Sequence, residues 1–372
     1  MSAYLDHAAS SPLRPEALDA MMPWFTERHA NPTASHRRGR RARQALDDAR
    51  AVIGSATGFA RGEIVFTGGG TESDNLAIGR GHAPGTVVVG ATEHPAVLEP
   101  AERQGAKIAE ADADGVVTVA AVMEHVSDAT EVVSVMAINN ELGVIQPVND
   151  IAGAVHAVAP NALVHSDAVQ ALPWLDLSET TQGVDMLSVT GHKLGGPQGV
   201  GAVAAREGSM PAPMLVGGGQ ERDHRAGTQN VAGIVGFAAA VQAAMDDRAE
   251  RLARIDRLAE RLLSGLMGSI EGLRPTVPRE KRVPGIVHLL VPNVQSEPLL
   301  FLLDQQDIAC SAASSCASGA QGASHVLSAM DLDTTGCAPL RLSLGWSTTD
   351  EEIDIALRAI PQAVAQLAGA AS

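Results

Sequence analysis

The chain has 372 residues, 45% of them hydrophobic and 19% charged, which suits two domains or one large one and is too apolar for a disordered segment. A formal net charge of −16 and an aromatic content of 2% weigh against nucleic acid, since a polyanion is repelled and stacking platforms are scarce. The three cysteines, Cys310, Cys316 and Cys337, form no C-x-x-C pair, so neither a disulfide framework nor a metal site is expected.

The first residues, up to Asp6 and His7, carry neither the basic nor the apolar region of a signal peptide. No run of about 18 or more apolar residues follows. A reducing cytoplasm is therefore the expected location, away from the membrane. The basic run His36-Arg37-Arg38-Gly39-Arg40-Arg41 precedes glutamine and acidic residues at helical spacing and reads as a solvated helix face, with phosphate or partner contact as the alternative. Glu63–Thr67 reads as a strand entering Gly68-Gly69-Gly70, after which Thr71 starts a helix with Glu72 and Asp74 in its first turn. Further strands are expected at Thr86–Val89, Glu131–Ile138, Ala162–His165 and Met186–Val189, with helical patterns such as Val148–Val158 between them. This alternation is that of a mostly parallel, doubly wound α/β sheet.

After Gly227 the rhythm changes. One long amphipathic helix is expected from about Val231 to Ile270, with apolar residues at Ile234, Phe237, Val241, Ile255, Leu258, Leu262 and Leu266. Beyond it lie a strand at Ile286–Val291, a helix around Glu297–Asp304, a strand into Cys310 and another at Leu340–Leu344. The last helix opens at Thr348-Thr349-Asp350-Glu351, where Thr348 and Glu351 fit a capping box. These elements suggest a second, smaller α+β domain.

His94, Asn140, Asp167, Gln170 and Lys193 all fall at or just past the C-terminal ends of expected strands, the side of a parallel sheet where ligands bind. Singly, each has a bland reading, a turn, a helix cap or a satisfied core group; jointly they point to a site. Gly68–Ser73 is a strand–glycine–helix start suited to a phosphate. It is neither a Walker A loop nor a dinucleotide fingerprint, so a single phosphate ester is implied. Lys193 sits in SVTGHKLGGPQGVG (188–201), a glycine-rich enclosure unlike that of a solvating lysine. A phosphate ester, an aspartate and an enclosed lysine together suggest pyridoxal phosphate. The lysine would form a Schiff base with its aldehyde, and the aspartate would pair with its ring nitrogen.

On nine segments in order the chain resembles the cysteine desulfurases, in the class V aminotransferase group of fold-type I pyridoxal phosphate enzymes. They are YLDHAASSP, NPTASH, EIVFTGGGTESDNLAI, TEHPAVL, INNELGVIQPV, HSDAVQALP, SVTGHKLGGPQGVGA, GGGQERDHRAGTQN and LRLSLG. The resemblance implies a large domain over residues 14–255 with a seven-stranded, mostly parallel sheet. Residues 1–13 and 256–372 would form a small α+β domain carrying the catalytic cysteine loop. It implies that Lys193 holds the cofactor aldehyde, His94 stacks on the ring and shuttles protons, Asp167 pairs with the ring nitrogen and Gln170 with the ring hydroxyl. Asn140 would lie near that hydroxyl and the substrate. Gly70, Thr71, Thr190 and His192 would hold the phosphate, with Thr228 reaching in from the other subunit of a homodimer, and Arg341 would grip the substrate carboxylate.

Cys316 lies in Ala312–Ala320, a run of small residues that suits a mobile nucleophile, whereas Cys310 ends an apolar strand and reads as a buried small hydrophobe. Cys337 has no evident partner. Departures from the family pattern are Ser315 before the cysteine, AASSP where threonines are usual, and Thr190 where serine is frequent. The implied reaction turns L-cysteine into L-alanine and leaves a persulfide on Cys316, for iron–sulfur assembly or tRNA thiolation through sulfur-acceptor proteins. The alternatives are another class V aminotransferase, a selenocysteine lyase, or a non-catalytic scaffold for a sulfur relay.

Overall fold

The computed structural model describes residues 2–81, 83–312 and 324–370. Its strands are β1 (Ala3–Tyr4), β2 (Ile64–Thr67), β3 (Val87–Gly90), β4 (Lys107–Ala109), β5 (Val132–Ser134), β6 (Leu163–Asp167), β7 (Met186–Thr190), β8 (Gly201–Ala205), β9 (Arg274–Pro275), β10 (Ile286–Pro292), β11 (Ile308–Ala309) and β12 (Cys337–Ser343).

Seven of them form one sheet in the order β2-β8-β7-β6-β5-β3-β4. Only β8 runs against its neighbours, pairing antiparallel with β2 and β7; the other pairs are parallel. Strands β2, β3, β5, β7 and β8 are buried along their whole length, as runs such as VVVG and MLSVT require of a sheet covered on both faces. The α/β sheet expected from the alternation is present. Strands β4 and β8 were not separately expected: the first is three residues long, and the second is the continuation of the lysine loop. The expected strand Glu131–Ile138 pairs only over Val132–Ser134; its continuation bonds singly, as Ala137 N–H to Asp167 O.

The helix Arg37–Thr57 begins on His36, whose Nδ1 accepts from Gly39 N–H, and Arg37, Arg38, Arg40 and Arg41 are exposed, as a solvated face requires. The amphipathic segment after Asn230 is two helices, Val231–Asp246 and Arg248–Ser269, rather than one. The break is at Asp247 (φ −92°, ψ 0°), whose carboxylate accepts from Arg14 Nη1 (2.9 Å) and Arg251 Nε (2.7 Å). Arg251 also donates to Ala244 O and Pro173 O, so one arginine closes the end of the first helix and ties it to the sheet domain. Periodicity survives a one-residue break, which is why the pattern read as continuous.

A second sheet, β12-β10-β9, is antiparallel, and β1 pairs in parallel with β11. Asp6 bridges to Ser343 and Ser311 to Arg341, so the chain's first residues are built into its last third. The final helix, Asp350–Ala370, is capped one residue later than expected. Thr349 Oγ1 accepts from Glu352 N–H, and Glu352 Oε2 accepts from Thr349 N–H. Thr348 is unavailable: it is fully buried, and its Oγ1 accepts from Gly345 N–H.

Candidate active site

A cavity of roughly 520 Å³ opens where β6, β7 and the loops after β2, β3 and β5 end. Of the residues expected at a site, Gly70, Thr71, His94, Asn140, Asp167, Gln170, Thr190, His192, Lys193 and Arg341 all line it. They come from six separate stretches of sequence. Thr228 does not line it; it is exposed on the segment Gly217–Asn230. Cys316 lies outside the described residues.

One end of the cavity is built from β2 and the helix Gly70–Ile78. Gly69 has φ +150°, in the range that favours glycine, and a Cβ on Gly70 would stand 2.6 Å from Val169 Cγ2. The turn therefore brings the first N–H groups of the helix up to the cavity wall, with the positive end of the helix dipole behind them. Glu72 is paired at the same turn, accepting from Gly68 N–H (2.7 Å) and from Arg225 Nε (2.9 Å). Thr190 Oγ1 donates to Val200 O, and His192 Nδ1 lies 3.3 Å from Ser10 Oγ. A more open hollow of about 690 Å³ shares Gly70, Thr71, Thr190 and His192 with the cavity, so these residues form the wall between the two.

In the middle of the cavity, Lys193 Nζ donates to Ala8 O (2.6 Å) and Ala9 O (2.9 Å), and Gln170 Nε2 donates to Ala8 O (2.7 Å). The N-terminal segment thus holds the two polar groups that the loops after β6 and β7 deliver. Asp167, the last residue of β6, accepts from Val169 N–H (2.9 Å); burial pushes its carboxyl up to about 6, against the pull of that bond and of Lys193. His94 is the N-cap of Pro95–Arg103. Its Nδ1 accepts from Ala96 N–H, which leaves the proton of the neutral ring on Nε2. Burial, and then the Lys193 and His325 charges, lower His94 to about 4, and burial and Lys193 do the same to His192. Both rings are neutral at physiological pH.

Asp74 also lines this cavity and Glu93 immediately precedes His94; neither was expected at the site from the sequence. Burial raises both carboxyl groups well above their usual range, and Asp167 raises them further. Asp74 Oδ1 and Glu93 Oε2 are buried without a hydrogen-bond partner. Asp74 comes four residues after Gly70 on the same helix, hence on the same face, and that spacing was the available signal.

At the far end, Arg341 on β12 donates from Nη1 to Asn140 O (2.9 Å) and from Nη2 to Asp6 Oδ1 (2.8 Å). Asp6, Cys310 and Ser311 line the cavity beside it, although none was expected there. Cys310 is only partly buried, a correction to its reading as a core residue. Its thiol is pushed up to about 12 by burial and by Asp6, which disfavours the nucleophilic thiolate.

A lysine, a buried carboxylate and a neutral imidazole around one cavity, with a helix N-terminus at one end and a guanidinium at the other, can hold a phosphate ester and an amino acid side by side. Comparison with known proteins agrees. The family model for aminotransferase class-V matches residues 3–356. An IscS-like cysteine desulfurase of Mycobacterium tuberculosis is 39% identical over 99% of this chain and 98% of its own length. The cysteine desulfurase IscS of Clostridium botulinum is 35% identical over 98% of this chain and 94% of its own length. Among solved structures, a NifS-like protein superposes with a TM-score of 0.91 at 32% identity, covering 98% of this chain and all of its own. SspA in complex with cysteine gives 0.81 at 28% identity, covering 94% of this chain and all of its own.

Proposed function

Because the chain belongs to the aminotransferase class-V family, among its cysteine desulfurases, we propose that it converts L-cysteine to L-alanine and takes up the sulfur as a persulfide on Cys316. The observation that carries this reading is the meeting of Lys193, Asp167, His94 and Arg341 around one cavity. The family depends on pyridoxal phosphate, and the donor set fits that group. Gly70, packed against Val169 too closely for a side chain, opens a helix at the cavity wall, Thr190 and His192 line the same wall, and Asp167 is a buried carboxylate whose raised pKa makes it ready to share a proton with a ring nitrogen. When bound, pyridoxal phosphate supplies an aldehyde for amines and a conjugated ring that takes up negative charge from the substrate carbon.

The protein's own groups divide the remaining work. The N–H groups of Gly70 and Thr71 bind the phosphate, with Thr190, His192 and a partner subunit's threonine 228 completing the cradle in a homodimer. Gln170 and Asn140 orient the ring hydroxyl, and the neutral His94 lies against the ring. Arg341 holds the substrate carboxylate. The Lys193 amine takes the substrate Cα proton and returns a proton on the way to alanine. The Cys316 thiolate attacks the substrate sulfur; the carbon–sulfur bond breaks with its electron pair left on carbon, which gains a proton. One thiol and one cysteine thus become one persulfide and one alanine.

Residues 14–255 then form the cofactor domain, and residues 1–13 with 256–372 the small domain; the pairing of β1 with β11 supports that grouping. The sulfur passes to acceptor proteins for iron–sulfur assembly or tRNA thiolation in the cytoplasm. Among the described residues no helix is long and apolar enough to cross a membrane. The test is brief exposure to L-cysteine without reductant, followed by alanine assay and peptide mass mapping. The added sulfur should map to Cys316. Cys316→Ser should keep the cofactor's colour and form no persulfide, while Cys310→Ser and Cys337→Ser still form one. Sulfur on Cys310 or Cys337, or normal turnover by Cys316→Ser, refutes the mechanism.

A further inference from the structure

We propose that Asp6 is a positioning and specificity-determining residue: it aims Arg341 and excludes amino acids whose side chain carries a negative charge. The proposal rests on the reading of Arg341 as the group that binds the substrate carboxylate.

Arg341 is buried, and two of its donors are already engaged, Nη1 by Asn140 O and Nη2 by Asp6 Oδ1. Its Nε is buried without a hydrogen-bond partner. A guanidinium is a rigid fork of five donors. Fixing two of them sets the plane of the fork; with Nε buried, the second N–H of each Nη is what remains for a ligand. Asp6 is itself held in place, because its backbone bridges to Ser343 on β12, two residues from Arg341. The ion pair is therefore a fixed part of the cavity wall.

The charge balance of that wall decides what can enter. Among the described residues the lysines and arginines that line the cavity are Lys193 and Arg341, and the carboxylates are Asp6, Asp74 and Asp167. Lys193 is committed to the cofactor in the proposed reading, and Arg341 shares its charge with Asp6. A substrate with one carboxylate finds the open edge of Arg341. A second negative charge, on the substrate side chain, finds no further lysine or arginine and meets Asp6 nearby. Like charges brought together in a poorly solvated place are strongly disfavoured. A neutral thiol brings no second charge to this wall, where Cys310 and Ser311 are uncharged neighbours in the lining.

The test uses the holoenzyme and follows cofactor absorbance during titration with L-alanine, which has a neutral side chain, and with L-aspartate, which has an anionic one. In the wild type L-aspartate should bind more weakly. Asp6→Asn keeps an oxygen acceptor for Arg341 but removes the charge. It should lower the ratio of the two dissociation constants by about tenfold or more, whereas Asp6→Glu should retain the wild-type preference. A purely structural role would weaken both ligands alike, so an unchanged ratio in Asp6→Asn overturns the inference. Asp6→Ser also lacks the charge and gives the same reading if Asp6→Asn folds poorly. No spectral response of the wild type to L-cysteine would overturn the desulfurase reading and this inference together. An intact response with an unchanged ratio overturns only the role of Asp6.

Discussion

Glu221→Ala should unfasten the segment Gly217–Asn230 from the edge of the main sheet. Strand β2 is an edge strand, and its outward polar groups would be exposed if nothing covered them. Glu221 Oε2 accepts from Phe66 N–H (2.9 Å) and Arg50 Nη1 (2.8 Å), while Oε1 accepts from Arg50 Nη2 (2.7 Å) and Gln229 Nε2 (2.7 Å). Arg222 Nη2 donates to Ile64 O (2.7 Å). The side chains of Arg50 and Glu221 are 6% and 1% exposed, so this is a buried ion pair. It also holds Glu221, Arg222 and Asp223 at φ of 48°, 57° and 68°, a run of left-handed residues that costs about 1–2 kcal/mol apiece. Removing one partner of a buried pair costs about 3–5 kcal/mol, against a whole-domain stability of about 5–15 kcal/mol. Urea unfolding followed by tryptophan fluorescence measures the loss, and cofactor affinity should fall with it, since β2 leads directly into Gly68–Gly70. Arg50→Met with Glu221→Leu removes both charges and should recover part of the loss, leaving mainly the unpaired Phe66 N–H, worth about 1–3 kcal/mol. A cost below about 1 kcal/mol for Glu221→Ala, or a double variant as unstable as the two single losses combined, would refute this account.

Lys193→Ala should lose the visible absorbance of the bound cofactor and all turnover; borohydride reduction that fixes the cofactor to another residue of the wild type would contradict the assignment. Arg341→Lys should raise KM for L-cysteine by about tenfold or more, because a point ammonium cannot reproduce a two-pronged grip; an unchanged KM would make Arg341 a structural residue. Asp167→Asn should stabilise the protein, measured without cofactor, by about 2–3 kcal/mol at pH 8 while abolishing activity. The sign follows from the raised carboxyl. In the wild type its contribution is full below the unfolded value of 3.8 and is lost as pH rises through about 6, so the gain should vanish toward pH 4. A gain that persists at low pH would refute it.

Much of this was legible because the informative residues are punctuated by glycine and follow apolar runs. Gly68–Gly70 and the Lys193 loop each stand beyond a buried strand, and the ten cavity residues anticipated from sequence do line one cavity. What the sequence hid was long-range. Asp6 reaches Arg341 across more than three hundred residues, and nothing in YLDHAASSP distinguishes it from a turn-capping aspartate. Glu221 lies in a loop that looks fully solvated, and only the exposed edge of β2 explains its burial. The break at Asp247 was invisible because the apolar period continues through it. The cap at Thr349 was missed by one position because two threonines are adjacent and tertiary contacts had already taken Thr348.

The N-terminal segment joins these facts into one device. Residues 3–4 pair with β11, Asp6 orients Arg341, Ala8 and Ala9 carry the carbonyls that hold Lys193 and Gln170, and Ser11 N–H donates to His192 O. Within nine residues the chain touches Lys193, Gln170, His192 and Arg341, the four groups to which the proposed function gives the cofactor aldehyde, the ring hydroxyl, the phosphate and the substrate carboxylate. Around that strap the histidines His94 and His192 are held neutral by burial, and Asp74, Glu93 and Asp167 are buried with their carboxyl groups raised. Such a site is electrostatically unfavourable by itself, which is the usual condition of a preorganised binding centre. A cationic ring nitrogen beside Asp167 would relieve part of that cost, and a dianionic phosphate would find a helix N-terminus rather than a carboxylate. In the proposed reading the same asymmetry would set the direction of the cofactor, with its phosphate held by Gly70 and its ring nitrogen by Asp167, leaving the substrate to Lys193 and Arg341.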